Sequence, residues 1–224
     1  MTVKAIVHRY WQDEERGFKY NLAPLEDTIT IKETADGYAV GYLVQDESAD
    51  SPDRFSDDSI FLVHYHRDMW VPSERMTDDV LRAWYLGEES EEVSKIERDY
   101  WIFPVAAYIH SGVVLSLGNG RGFPDYRWDV SHVGAVFASK GEWQDEKKAE
   151  EAAEQLITSW NEYLAGDVYC IVIEIYDKEK KSIDYDIVGG YSGLRYALGE
   201  LAERMTEPPL IFSVAGYVPG PMSR

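Results

Sequence analysis

The chain has 224 residues, 45% of them hydrophobic and 13% aromatic. That is enough for one large domain or two small ones, and too apolar and aromatic for intrinsic disorder. Its 41 acidic and 22 basic residues give a formal charge of -19, which argues against direct binding to nucleic acid or to anionic membranes.

Val3 to Val7 reads as a first strand, and Trp11 to Gly17 as a polar loop. The apolar run in the first ten residues is too short for a signal peptide. No run approaches the roughly 18 apolar residues of a membrane span, so the expected location is the cytoplasm. Asp27 to Lys32 and Tyr38 to Val44 alternate as strands around Asp36-Gly37, where a hairpin turn with positive φ at the glycine is expected. Residues 46–59 combine Asp, Glu, Ser and Pro with little apolar content and read as a loop. Ile60 to Tyr65 resumes as a strand. Thr77 is the expected N-cap of a short helix with Val80, Leu81, Trp84 and Tyr85 on its apolar side. Glu88 to Glu92 reads as a solvated acidic face or loop.

Trp101–Ile109 and Val113–Leu117 are expected strands separated by His110-Ser111-Gly112. The glycine-rich loop from Gly118 to Pro124 lacks the G-x-G-x-x-G spacing of a dinucleotide site, and no helix follows it directly. Val133 to Ala138 is another strand. The clearest helix runs from about Asp145 to Tyr163, with Ala149, Ala153, Leu156, Trp160 and Leu164 as its buried stripe and Gly166 as its stop. Val168–Tyr176 and Ile183–Val188 form a hairpin around Asp177 to Lys181. The strand-like setting of Cys170, the only cysteine, predicts a buried core thiol. A last helix spans Ser192 to Met205, with Leu194, Leu198, Leu201 and Met205 inward and Pro208-Pro209 ending it.

Hairpin-spaced strands with few helices predict an α+β fold: a mixed or mainly antiparallel sheet with two to four packed helices. Residues 1–100 are expected as a strand-rich part with an acidic loop and the character of a separate lobe. Residues 101–224 then form the C-terminal α+β part.

The densest polar stretch outside the helices is His110-Ser111-Gly112 followed by Trp128-Asp129-Val130-Ser131-His132-Val133-Gly134. With Leu164-Ala165-Gly166-Asp167-Val168-Tyr169 and Asp186 to Gly193, it resembles a family of uncharacterised bacteriophage and mobile-element proteins. The resemblance covers Tyr108 to Gly193. Members of that family usually show Asp before His-Ser-Gly, where this chain has Ile109. The resemblance implies a setting, an accessory protein acting in a host cell's cytoplasm, and no particular reaction.

Three functions follow as expectations. The favoured one is a non-enzymatic acidic protein that binds a basic or nucleic-acid-binding host protein, in its narrowest form a DNA mimic that inhibits a defence protein. Its binding residues would be Asp50, Asp53, Asp57, Asp58, Glu88, Glu89, Glu91, Glu92, Glu142, Glu146, Glu150 and Glu151. The mimic requires that residues 46–58, 88–99 and 142–154 form one continuous stripe. The second is a hydrolase, with or without a metal, using His110, Ser111, Asp129, His132 and Asp167. Ser131 is a further candidate nucleophile, and His64 with His66 a further ligand pair. The third is a virion-associated or structural subunit. On the binding reading no cofactor and no resident metal are called for. The plainest reading of the motif is structural: Asp129 and Ser131 cap their own turn, Trp128 anchors it, and Gly112 and Gly134 allow close backbone approach.

Overall fold

In the computed structural model, residues 24–52, 59–64, 78–123 and 129–206 are described. The fold is α+β. Strands β1 (Thr30–Glu33), β2 (Gly37–Gln45) and β3 (Ile60–His64) are followed by helices α1 (Asp78–Leu86) and α2 (Glu91–Asp99). Then come β4 (Tyr100–Ile109), β5 (Val113–Leu117), β6 (Val130–Ser139) and helix α3 (Glu146–Ala165). The hairpin β7 (Val168–Asp177) and β8 (Ser182–Ser192) leads into α4 (Leu194–Thr206). The strands make two four-stranded sheets, sheet A in the order β1-β2-β7-β8 and sheet B in the order β3-β6-β4-β5. Every register recorded within them is antiparallel.

The chain divides into two compact units, one from Met1–Gln45 with Tyr169–Arg224 and the other from Asp46–Val168. The chain passes between these units twice, at the ends of the paired strands β2 and β7, where Gln45 faces Tyr169. Residue 100 is where α2 passes directly into β4. Local sequence pattern does not record that β2 finds its neighbour more than 120 residues later.

In the first unit, Ala39, Leu43, Ile171, Ile173 and Ile175 of sheet A pack against Ala197, Leu201 and Met205 of α4. The strand residues alternate in sequence, and the helix residues recur every four, so each element offers one apolar side. Leu194 and Leu198, expected inward, are 40% and 38% exposed. They share the helix face of Leu201 and Met205, but the small Ala197 takes the seat against the sheet in the first turns. The other face of the sheet buries Val40, Tyr42, Val44, Val172 and Tyr176, with Cys170 packed against them, part-buried rather than fully so. The Tyr42 hydroxyl donates to Glu174 Oε1 at 2.6 Å, and the Tyr176 hydroxyl donates to Oε2. Burial first, and the Glu174 charge second, push the Tyr42 phenol far above its ordinary pKa, so it remains a donor. Gly37 opens β2 without a positive φ. A side chain there would collide with the Tyr176 carbonyl, so close approach rather than turn conformation requires the glycine.

In the second unit, sheet B lies between helices. Leu62, Val105, Ala107, Leu115 and Val133 face Ala153, Ile157 and Trp160 of α3. The intervening residues Phe61, Val63, Ala135 and Phe137 face Leu81 of α1, with Trp84 and Ile96 alongside. Each fully buried large side chain contributes on the order of 2 kcal/mol. Asp145 caps α3 by accepting from the Lys148 N–H at 3.0 Å, and Gly166 stops it with φ 70°. Helix α2 was not expected. Ser90 caps it, its hydroxyl accepting from the Val93 N–H at 3.1 Å, and Val93 and Ile96 supply the inward side of an otherwise charged segment.

Val3–Val7, Trp11–Gly17, Thr77, Pro208-Pro209 and the anchoring Trp128 lie outside the described residues.

Candidate functional site

The polar stretch lies at one end of sheet B. Strand β4 ends at Ile109, whose N–H donates to the Asp129 carbonyl at 3.0 Å. His110 then turns the chain, its N–H donating to the Gly112 carbonyl at 3.2 Å, and Ser111 stands exposed at the tip. Gly112 has open space where a side chain would be, so close approach does not explain it. Gly134 differs. A Cβ there would run into the Val63 carbonyl of β3, so the pairing of β3 with β6 requires glycine.

Two of the expected site residues meet. His110 Nδ1 lies 3.6 Å from Asp129 Oδ2, with the side chains 71% and 34% exposed. That separation is longer than a hydrogen bond, and an exposed pair of this kind contributes about 0–1 kcal/mol when the imidazole is charged. The His110 ring is stacked with Tyr108 (centroids 6.2 Å apart), which is in turn stacked with Phe123 at 5.5 Å. Tyr108 and His110 are two residues apart, so strand alternation puts both on one side.

His132 is placed elsewhere. It pairs opposite Ala106, where the β4–β6 register shifts, and its Nδ1 lies 2.8 Å from the Tyr85 hydroxyl of α1. The strand rise of about 3.3 Å per residue separates it from the His110 turn by roughly 13 Å along β4. Ser131 is opposite Ala107 and takes the other side of the strand. Among the described residues no hydrogen bond joins Ser111 or Ser131 to an imidazole. Asp167 is at the end of α3, where its N–H donates to the Glu162 carbonyl at 2.7 Å. Partial burial of Glu162, with the Asp167 charge adding to it, raises the Glu162 pKa. His64 is buried beside the Trp160 ring, while His66 lies outside the described residues. Among the described residues no group of three or more His, Cys, Asp or Glu side chains is arranged to hold a metal ion.

The acidic residues fall into separate sets. Glu88, Glu89, Glu91 and Glu92 are exposed around the α1–α2 corner, next to Leu86, which is 64% exposed. None of the four has an ion-pair partner among the described residues. Glu91 and Glu92 occupy the first turn of α2, where the helix dipole favours negative charge. Glu146, Glu150 and Glu151 are exposed on α3, and Glu151 lies 3.8 Å from Lys147. The helices α2 and α3 pack on opposite faces of sheet B, while the C-terminal end of α2 meets the segment before α3, where Lys140 Nζ donates to the Glu97 carbonyl at 2.7 Å. Asp50 and Glu142 are exposed; Asp53, Asp57 and Asp58 lie outside the described residues.

Sequence reasoning missed Tyr85 as the partner of His132, and Leu86 as part of the acidic corner. Tyr85 is 47 residues from His132 and reaches it only through the packing of α1 on the sheet. Leu86 was legible as the one large apolar side chain directly before the glutamate run. Comparison with known family models, curated proteins and solved structures returned no match.

Proposed function

We propose that the chain is a non-enzymatic binding protein that docks a basic partner protein through the α1–α2 corner. The observation that carries this reading is the exposed Leu86 close to four exposed carboxylates, none of them in an ion pair among the described residues. An apolar contact beside a cluster of carboxylates suits a partner with a basic rim, which the chain's charge of -19 would also steer toward it. The narrower reading, mimicry of a nucleic-acid backbone, asks for one stripe running into residues 142–154. The placement of α2 and α3 on opposite sides of the sheet confines the proposal to the corner. On the resemblance, such a protein would act in a host cell's cytoplasm with a host protein as its partner.

The test compares the wild type with the fourfold reversal of Glu88, Glu89, Glu91 and Glu92 to Lys, and with Leu86→Asp, in affinity capture from cell extract at low and high salt. A basic protein retained stoichiometrically by the wild type at low salt, and lost with both variants, is the expected result. The same proteins retained by all three would count against the corner.

The hydrolase reading keeps one observation in its favour, the approach of His110 and Asp129. It predicts turnover of an activated ester or phosphoester that His110→Ala and Asp129→Asn each abolish while the fold persists.

A further inference from the structure

Tyr108, near the end of β4, is the middle ring of a column. Phe123 stacks on it with the planes inclined by 24°, and His110 with the planes inclined by 23°. The column stands on the face of sheet B that carries α1. Tyr108 is two residues from Ala106, Ala106 pairs opposite His132, and His132 is bonded to Tyr85 of α1. Val114, opposite Tyr108 on β5, is 44% exposed, so the helix does not cover this end of the face. The parts of the column are fixed in place. The Phe123 N–H donates to the Gly120 carbonyl at 3.0 Å, and Gly120 sits so close to Val130 and Ala106 that a side chain would collide with them. Asp129 is held by its carbonyl, which accepts from the Ile109 N–H. Its carboxylate stands at the rim of the outermost ring, the exposed His110. At 3.6 Å the two are not hydrogen-bonded, so the carboxylate keeps room for another donor.

We propose that His110, Tyr108 and Asp129 form a seat for an arginine side chain of the partner protein. The guanidinium lies on the outer face of the His110 ring and donates from its edge to Asp129. Rings stacked in a row end in one flat face, whereas a compact ammonium is best held by several rings set around it. A flat face suits a planar group, and a carboxylate at its rim suits a cation with donors along its edge. Guanidinium has both properties, and it is more weakly hydrated than an ammonium group. The proposal rests on the binding reading and names an anchor of its basic partner. The seat and Leu86 are on the same face of sheet B. His132, bonded to the residue before Leu86, is roughly 13 Å along β4 from the His110 turn. A partner of ordinary size covers about 800 Å², a patch roughly 30 Å across, and so reaches both.

The full chain, labelled with nitrogen-15, is titrated with N-acetyl-arginine amide and separately with N-acetyl-lysine amide, which carries the same charge. The arginine compound is expected to shift the amides of His110, Gly112 and Asp129 with a Kd on the order of millimolar, and the lysine compound to bind at least about threefold more weakly. Asp129→Asn and His110→Ala are each expected to weaken the arginine titration by at least about threefold, and His110→Phe, which keeps a flat ring, to stay within about twofold of wild type. The amide spectrum of each variant also shows whether it is folded. Equal binding of the two compounds, shifts spread over the acidic surface instead of these amides, or an Asp129→Asn variant that titrates like the wild type would overturn the proposal. None of these readings needs the partner. The seat can therefore fail while a basic protein is still captured through the corner, and the corner can fail while the arginine titration stands.

Discussion

Among the described residues strand β5 is an edge of sheet B, yet the outward N–H and carbonyl of Leu115 are not left to solvent. Leu115 is 2% exposed, its N–H donates to Asn161 Oδ1 at 2.7 Å, and its carbonyl accepts from Asn161 Nδ2 at 2.9 Å. One amide side chain of α3 thus takes the place of a neighbouring strand, because it carries a donor and an acceptor side by side. Asn161→Leu removes both bonds and fills the space, so that water cannot replace them. Each backbone group left unsatisfied costs about 1–3 kcal/mol, so the two together give a loss of about 2–6 kcal/mol. Asn161→Ala leaves room for water and is expected to cost less, about 1–2 kcal/mol. Asn161→Asp keeps the acceptor for the N–H but turns a carboxylate oxygen toward the Leu115 carbonyl. Protonation restores a donor there, so the folded state raises this aspartate's pKa. The deficit is then small below the unfolded pKa of about 3.9 and grows as pH rises through the folded value. Urea unfolding and hydrogen exchange of the β5 amides read these effects directly. An Asn161→Leu loss within about 0.5 kcal/mol, together with unchanged exchange at Leu115, would refute the reasoning.

Three further outcomes are expected. Gly134→Ala drives a methyl group into the Val63 carbonyl and separates β3 from β6, so a loss above about 2 kcal/mol is expected in thermal or urea unfolding. Asp145→Ala removes the cap of α3 at a cost of about 1 kcal/mol, with amide exchange accelerated first at Lys148. Glu162 binds its proton more tightly folded than unfolded, so its ionisation costs stability as pH rises from its ordinary value of 4.5 through the raised folded one. Glu162→Gln is therefore expected to be more stable than wild type at pH 7, with the gap closing at acid pH. A gap independent of pH would contradict this.

The elements legible in the sequence were those whose signal is local. The stripe of α3 with its glycine stop, the hairpin at Asp177 to Lys181, and the strands on either side of His110-Ser111-Gly112 all rest on a periodicity and a turn residue within a few positions. Helix α2 escaped because Val93 and Ile96 are its only inward apolar residues, and glutamates dominate the segment. Leu194 and Leu198 were misread because a helical period identifies a face but not how far the sheet extends beneath it. At the candidate site, the approach of His110 to Asp129 was compatible with the sequence. The capture of His132 by Tyr85 was not visible there.

By itself, the sequence determined the α+β class, most of the strand and helix positions and the strongly acidic character, since apolar period, capping residues and net charge are properties of neighbouring residues or of their sum. The tertiary structure alone decided that β2 pairs with β7, and that the two compact units divide beside that pair. It also set the helices that carry the acidic segments on opposite faces of sheet B. Each of these depends on which distant segment covers a given face, and that is settled by packing and strand pairing across the whole chain.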